Sequence, residues 1–164
     1  MPNYCTNASF IVPLNQEQTK FAFDVIDCVQ DGRIDFNNKR KNVTAKSFKT
    51  DVYKIAKKLA LSLDYYKPNN VCLDFKIDSH TNGVWISHDE TINIENAAYF
   101  VHLILKYFKL NICVGIQASY TCDESRFDAF GGNAVFVTKK GLKWMSTDEW
   151  LQKQTDAFNK RLVA

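Results

Sequence analysis

The chain has 164 residues, 46% of them hydrophobic and 13% aromatic, and this composition excludes a disordered chain. Its formal net charge of +3 permits nucleic acid as a partner without requiring one. The longest apolar run, over residues 97–105, is too short to span a bilayer, and the N-terminus lacks the basic and apolar regions of a signal peptide. We therefore expect one cytoplasmic domain over residues 1–164 with no membrane contact.

The first elements in chain order are a strand and two helices. Residues 8–14 predict the strand, and Asn15 is suited to cap a helix over 16–30, whose apolar residues recur at helical spacing. Residues 31–68 predict an insertion, in which a polar loop precedes an amphipathic helix over 47–63.

A hairpin and a third helix are predicted next. Strict alternation of apolar and polar residues over 71–77 predicts a half-buried strand. The dipeptide Asn82-Gly83 is a strong hairpin-turn sequence, and residues 84–87 predict the returning strand. A mostly apolar helix over 94–108 follows, which favours burial or contact with a partner.

The C-terminal part predicts three strands and a helix. Alternation over residues 112–120 predicts one long strand, and residues 131–164 predict a C-terminal hairpin and helix. The helix begins with a capping-box sequence at Ser146. Its apolar side is expected to consist of Trp150, Leu151, Phe158 and Leu162.

The order of these elements predicts the fold class. A β-α-(α)-β-β-α-β order is the split βαβ pattern of an α+β ferredoxin-like fold, with an antiparallel sheet and helices on one face. The extra C-terminal hairpin is expected to extend one edge of the sheet, and the last helix is expected to cover it.

Two parts of the chain resemble known sequences. Residues 1–7 (MPNYCTN) resemble the start of a YubB-type ferredoxin-like family carried by phages and plasmids. Residues 118–122 (ASYTC) and 130–135 (FGGNAV), with Trp144-Met145 and residues 149–151, resemble hypothetical proteins of bacteria and their mobile elements. The resemblance implies a ferredoxin-like fold and a mobile-element setting, and it carries over no catalytic residue.

The cysteines predict no metal or redox motif. The five are scattered and odd in number, and no two are spaced as CxxC. Cys72 and Cys113 fall within predicted strands, so we expect them to be small buried hydrophobic residues in a reducing compartment.

A metal site is one hypothesis for the segment around the first hairpin. His80, His88 and Asp89 offer imidazole and carboxylate ligands, although their spacing matches no standard ligand set. The alternative is that Asp89 stabilises the start of the following helix through the helix dipole. The nearby Asp74 and Lys76 also fit part of a nuclease-type D-x-K motif, against the alternative of a solvated outer sheet face.

Basic residues are concentrated in and after the polar loop. A nucleic-acid contact through them is a second hypothesis, and a solvated helix face is the alternative. The residues are Lys39, Arg40, Lys41, Lys54, Lys57 and Lys58.

A role in protein binding is the interpretation that the sequence favours. No catalytic set of side chains is complete and no cofactor motif occurs, so we expect no catalytic residues and no cofactor. The aromatic content is high, and Trp and Tyr are enriched where proteins contact one another. We predict an accessory protein with a protein partner; a nucleic-acid-binding module and a metal-dependent enzyme are the alternatives.

Overall fold

The computed structural model describes residues 3–31, 34, 50–63, 71–124 and 130–162, and within these ranges the fold is α+β, as predicted. Lys39, Arg40, Lys41 and nearly all of the predicted polar loop lie outside the described residues. The elements are β1 (Tyr4–Asn7), β2 (Phe10–Pro13), α1 (Gln16–Gln30), α2 (Thr50–Ser62), β3 (Lys76–His80), β4 (Gly83–Ser87), α3 (Ile94–Tyr107), β5 (Cys113–Cys122), β6 (Gly131–Thr138), β7 (Gly141–Ser146) and α4 (Thr147–Leu162).

The strands form two antiparallel sheets where a single sheet was expected. The large sheet has the order β1-β5-β6-β7, and the small sheet has the order β2-β4-β3. The strand predicted over residues 8–14 is wrong in its extent, because the chain leaves the large sheet after Asn7 and enters the small sheet at Phe10. The indole Nε1 of Trp85 donates a hydrogen bond to Ser9 Oγ at 2.7 Å. This bond links the break between β1 and β2 to strand β4.

The strand predicted over residues 71–77 is also wrong, because β3 begins only at Lys76. Asp74 has a left-handed φ of 53°, and its carbonyl oxygen accepts a hydrogen bond from the Asn93 N–H at 2.8 Å. This segment therefore bonds to the start of α3 instead of to a neighbouring strand. The alternation still predicted burial correctly, since Leu73 and Phe75 are each only 4% exposed.

The helix starts agree with the predicted caps. Asn15 Oδ1 accepts from the Gln18 N–H at 2.9 Å, and Gln18 Oε1 accepts from the Asn15 N–H at 3.0 Å, which completes a capping box for α1. The Asn93 side chain caps α3 by accepting from the Asn96 N–H at 3.0 Å. The two predicted hairpins are confirmed as β3–β4 and β6–β7.

The core is formed by both sheets and by α1, α2 and α3. The buried apolar residues of these elements make one cluster, in which Phe100 is the largest fully buried side chain. On β5, the alternation directs Val114, Ile116 and Ala118 inward. The described side chains of α4 contribute nothing to the core, since all of them are exposed.

The prediction that Cys72 and Cys113 are buried is wrong. Cys113 alternates with the inward-facing Val114 and therefore points outward. Cys72 precedes β3, is exposed, and donates a hydrogen bond from its Sγ to Asp74 Oδ1 at 2.6 Å. That hydrogen bond raises the pKa of the Cys72 thiol, with partial burial adding to the effect.

No helix among the described residues combines the length and the apolar content that crossing a membrane requires.

Candidate functional site

The predicted metal ligands occupy two ends of the β3–β4 hairpin. His80 pairs with Gly83 at the turn, whereas His88 and Asp89 follow the other end of β4. With about 3.4 Å of rise per residue, the five residues of β4 separate the two ends by roughly 17 Å, too far for one ion. Within the described ranges, no group of three or more His, Cys, Asp or Glu side chains is placed to hold a metal.

Both histidines hold turns through the same ring nitrogen. His80 Nδ1 accepts from the Asn82 N–H at 3.1 Å. His88 Nδ1 accepts from the N–H groups of Glu90 and Thr91, each at 3.1 Å. These bonds give each imidazole a structural role, and the metal hypothesis stays a prediction.

The residues of the D-x-K motif are separated in the structure. Lys76 donates to the Asp89 carboxylate, and this hydrogen bond raises the pKa of Lys76 and lowers that of Asp89. Asp74 lies before the strand and bonds to Cys72 and Asn93. The lysine and the first acid of the motif therefore have different partners.

An acidic cleft of about 570 Å³ lies where the N-terminus of α3 meets β1, β5 and β7. Carboxylates of Asp74, Glu90 and Glu95 line it together with Tyr120 and Trp144, and none of its described lining residues is Lys or Arg. Burial, together with the negative charges of Asp148 and Glu95, raises the pKa of Tyr120. The charge of the cleft disfavours a phosphate ligand.

The basic residues of α2 share one helix face. Lys54, Lys57 and Lys58 follow the i, i+3, i+4 spacing of neighbours on a helix surface, and none of them is buried. Lys54 Nζ lies 3.3 Å from Asp51 Oδ1, so this lysine is partly neutralised. The face is a modest basic stripe.

The N-terminus of α4 is attached firmly to the large sheet. Thr147 Oγ1 accepts from the Gly132 N–H at 3.0 Å and donates to the Gly132 carbonyl at 3.3 Å. Ser146 Oγ accepts from the Glu149 N–H at 3.2 Å, which confirms the predicted cap at Ser146. Asp148 and Glu149 in the first turn suit the positive end of the helix dipole. The helix therefore starts from a fixed point on β6.

Beyond its first turn, α4 is an amphipathic helix whose apolar side has no partner within the described chain. Trp150, Leu151 and Phe158 are 53%, 56% and 62% exposed. At 100° per residue they lie on one side of the helix with Ala157. The opposite side carries charges, which are Glu149, Lys153, Asp156 and Lys160.

The neighbouring strand β7 is an edge strand with exposed apolar side chains. Trp144 is 44% exposed and Met145 is 50% exposed. Successive strand residues point to opposite faces of a sheet, so Trp144 lies on the face of its partner Val135 and lines the acidic cleft, whereas Met145 lies on the other face. We call Trp150, Leu151 and Phe158 the C-terminal apolar surface.

The sequence indicated the residues of this surface but not their exposure. Trp150, Leu151 and Phe158 were expected to line a helix that covers the sheet edge, and the structure leaves all three largely exposed. A periodic apolar stripe predicts that a helix packs against something, and it does not predict whether the partner lies in the same chain. The high aromatic content was a sequence feature that indicated a contact surface.

No family model, curated protein or solved structure matches the chain.

Proposed function

We propose that the chain is a ferredoxin-like accessory protein that acts without catalysis, by binding an apolar protein surface through its C-terminal apolar surface. The observation that carries this proposal is α4, a 16-residue helix whose described side chains are all exposed and which carries Trp150, Leu151 and Phe158 on one side. Isolated helices of about this length are marginally stable in water, and most helical stability in proteins comes from packing an apolar face. A partner on the stripe supplies that packing.

The ferredoxin-like assignment is supported by the connections between strands. The units β2-α1-α2-β3 and β4-α3-β5 are two β-α-β crossovers joined by a hairpin. If β1 and β2 are counted as one strand interrupted after Asn7, the strands of the two units interleave in the order β5, β1/β2, β4, β3. That is the split βαβ arrangement, with β6 and β7 added beyond β5. The resemblance of residues 1–7 to YubB-type proteins is in keeping with this fold and with a phage or plasmid setting.

The charge of α4 favours a protein over other partners. Residues 147–162 contain three acidic and three basic side chains, which cancel. A helix that lies on a membrane surface is rich in Lys and Arg, and a nucleic-acid contact requires positive charge. A neutral helix with aromatic anchors fits the apolar centre of a protein interface.

Site-specific photocrosslinking in the host tests the proposal. A photoreactive amino acid replaces Leu151 on the apolar stripe, and the matched control replaces Lys153 on the charged side of the same helix. We expect discrete protein adducts from position 151 and none of the same adducts from position 153. Absence of adducts at position 151, or identical adducts from both positions, would contradict the proposal.

Nucleic-acid binding is a second candidate, supported by the exposed face of α2 that carries Lys54, Lys57 and Lys58. Each phosphate contact that a lysine makes contributes about −0.9 to the slope of log K against log salt on duplex DNA. Replacement of the three lysines by Gln should therefore reduce that slope by about 2 to 3 if all three contact phosphates. Fluorescence anisotropy with duplex and single-stranded DNA and RNA measures it, and a slope that is unchanged by the replacement would exclude this face.

A further inference from the structure

We infer that the outer face of the large sheet binds single-stranded nucleic acid, with a base stacked on Phe136 and phosphates paired with lysines at and beside the β6–β7 turn. The outer face is the side that points away from the core, and it carries Gly115, Gln117 and Ser119 of β5, Phe136 of β6 and Lys143 of β7. This inference goes beyond the proposed function, because it uses neither the C-terminal apolar surface nor the lysines of α2.

The described outer face is open to solvent. Val114 and Ile116 of β5 pack into the core, so the residues that alternate with them point outward, and each of these from Cys113 to Ser119 is exposed. On β6, Phe136 lies between the buried Val135 and Val137 and points outward in the same way. Exposed sheet faces that carry aromatic side chains are surfaces on which proteins stack unpaired bases.

Phe136 presents a flat apolar ring near the middle of this face. It lies on β6, an internal strand, and is 47% exposed. Its partner on β5 is Gly115, where a Cβ would meet no atom within 4 Å, so bare backbone and open space border the ring on that side. Its partner on β7 is the exposed Lys143. The ring therefore has room for a stacked base and a cation beside it for the adjoining phosphate.

The charge of this part of the chain is complementary to a polyanion. Residues 96–122 and 130–147, which include β5, β6 and β7, contain no Asp, Glu or Arg, and their charged residues are Lys106, Lys109, Lys139, Lys140 and Lys143. Lys139 Nζ donates to the Lys109 carbonyl at 3.3 Å and to Asn111 Oδ1 at 2.5 Å, which joins the β6–β7 turn to the segment before β5. Among the described residues, none of these lysines forms a salt bridge, so their charges are available to phosphates.

The carboxylates near the large sheet lie away from this face. The acidic cleft is lined by Trp144, which alternates with Lys143 and therefore points to the opposite side of β7. Asp51 bonds to the Tyr107 hydroxyl of α3, on the helix side of the sheet. Asp123 follows the far end of β5, roughly 30 Å from the end that pairs beside the β6–β7 turn. Repulsion of a nucleic-acid backbone is therefore weak where the lysines lie.

A polar cleft of about 620 Å³ continues the outer face toward β1. Its lining includes the amides of Asn7 and Gln117 and the hydroxyl of Ser119, and none of its described lining residues is Asp, Glu, Lys or Arg. Gln117 is two residues along β5 from Gly115, a distance of about 7 Å. Amide groups both donate and accept hydrogen bonds, as the edges of unpaired bases require. The cleft thus suits the base that follows the one stacked on Phe136.

Fluorescence anisotropy of the full chain with labelled DNA and RNA single strands of mixed sequence tests the inference, with duplexes of the same sequence for comparison. The single strands should bind more tightly than the duplexes, whose bases are already stacked. Phe136→Leu keeps an apolar side chain on β6 but removes the ring, and it should weaken single-strand binding about five- to a hundredfold. Phe136→Tyr should bind like the wild type. The matched control Tyr4→Leu removes a ring that is 57% exposed on the opposite face, and it should also bind like the wild type.

The salt dependence of binding tests the lysines separately. Each phosphate contact contributes about −0.7 to the slope of log K against log salt on single strands, so Lys140→Gln/Lys143→Gln should reduce that slope by about 1 to 1.5. The matched control Lys153→Gln/Lys160→Gln removes the same charge from α4 and should leave the slope unchanged.

Three results would overturn the inference. These are no binding of single strands at low salt, tighter binding of duplexes than of single strands, and equal affinities of the Phe136→Leu and Tyr4→Leu variants. If the replacement of Lys54, Lys57 and Lys58 abolishes binding while the sheet variants bind like the wild type, the nucleic-acid contact lies on α2 and the inference is wrong. Photocrosslinking from position 151 reports on α4, so its result tests the proposed function independently of these outcomes.

Discussion

The substitution Gly83→Ala examines how the small sheet is held together. Gly83 is the first residue of β4, has a φ of +134°, and pairs with both Pro13 of β2 and His80 of β3. A Cβ built on it would lie 2.1 Å from the Val12 carbonyl oxygen and 2.5 Å from the Leu14 nitrogen. Both are backbone atoms, and real Cβ contacts essentially never fall below 3.0 Å. Strand β2 must therefore move away from β4 to accommodate the methyl group.

The cost follows from two contributions. An L-residue held at such a backbone conformation is strained by about 1–3 kcal/mol. Displacement of β2 weakens at least one or two ladder hydrogen bonds at roughly 1 kcal/mol each. We expect the free energy of unfolding to fall by about 2–5 kcal/mol, a large part of the 5–15 kcal/mol of a typical domain.

The matched control is Gly115→Ala on β5. A Cβ at Gly115 meets no atom within 4 Å and requires no positive φ. Because alanine has fewer unfolded conformations than glycine, this variant should be unchanged or more stable by up to about 1 kcal/mol. Urea unfolding followed by circular dichroism measures both variants. A Gly83→Ala variant as stable as Gly115→Ala would refute the described packing of β2 on β4.

Three other perturbations test the core, the break between the sheets and one ion pair. Phe100→Ala should lower the free energy of unfolding by about 3–5 kcal/mol in the same urea assay, because Phe100 is 2% exposed, and a loss below about 1 kcal/mol would contradict its burial. Ser9→Ala should cost about 1 kcal/mol and shift the fluorescence of Trp85, whose N–H loses its acceptor; an unchanged spectrum would count against that bond. Lys76→Met should raise the pKa of Asp89 in an NMR titration, since the Lys76 hydrogen bond lowers it. The stability that this pair provides should be present above the ordinary Asp pKa of about 3.9 and lost as the pH falls through the lower folded value, and an unmoved Asp89 titration would exclude the pair.

The elements that the sequence predicted well are those with local causes. The extent of α1 follows from the Asn15 capping box, and α3 begins after Asn93 as its capping sequence requires. The β3–β4 hairpin follows from the Asn82-Gly83 turn. Each of these depends on contacts between residues close in sequence, so pattern and propensity were sufficient.

The strands that were predicted wrongly depend on partners that are distant in the sequence. Residues 71–75 alternate as a strand does, but the carbonyl of Asp74 bonds to Asn93 near the start of α3, and alternation does not reveal that partner. The strand predicted over residues 8–14 shortens to β2, which pairs with β4, and β1, which pairs with β5, was not predicted. Strand pairing is set by residues 70 or more positions away, which the local pattern does not contain.

The candidate site also combines a feature that the local sequence predicted with one that it did not. The apolar stripe of α4 was predicted residue by residue from its spacing, with Trp150, Leu151 and Phe158 in place. Its exposure was not predicted, because an apolar stripe looks the same whether it packs on its own sheet or on another chain. The structure supplies that distinction, because it leaves Trp150, Leu151 and Phe158 largely exposed.

Amide hydrogen exchange in α4, measured in dilute purified protein, is the most direct test of the claim that the apolar stripe of this helix is open to a partner. The account predicts that amides beyond the first turn of α4 exchange quickly, while those of the buried helix α3 stay protected. Protection of α4 equal to that of α3 would contradict it, because the stripe would then already be covered.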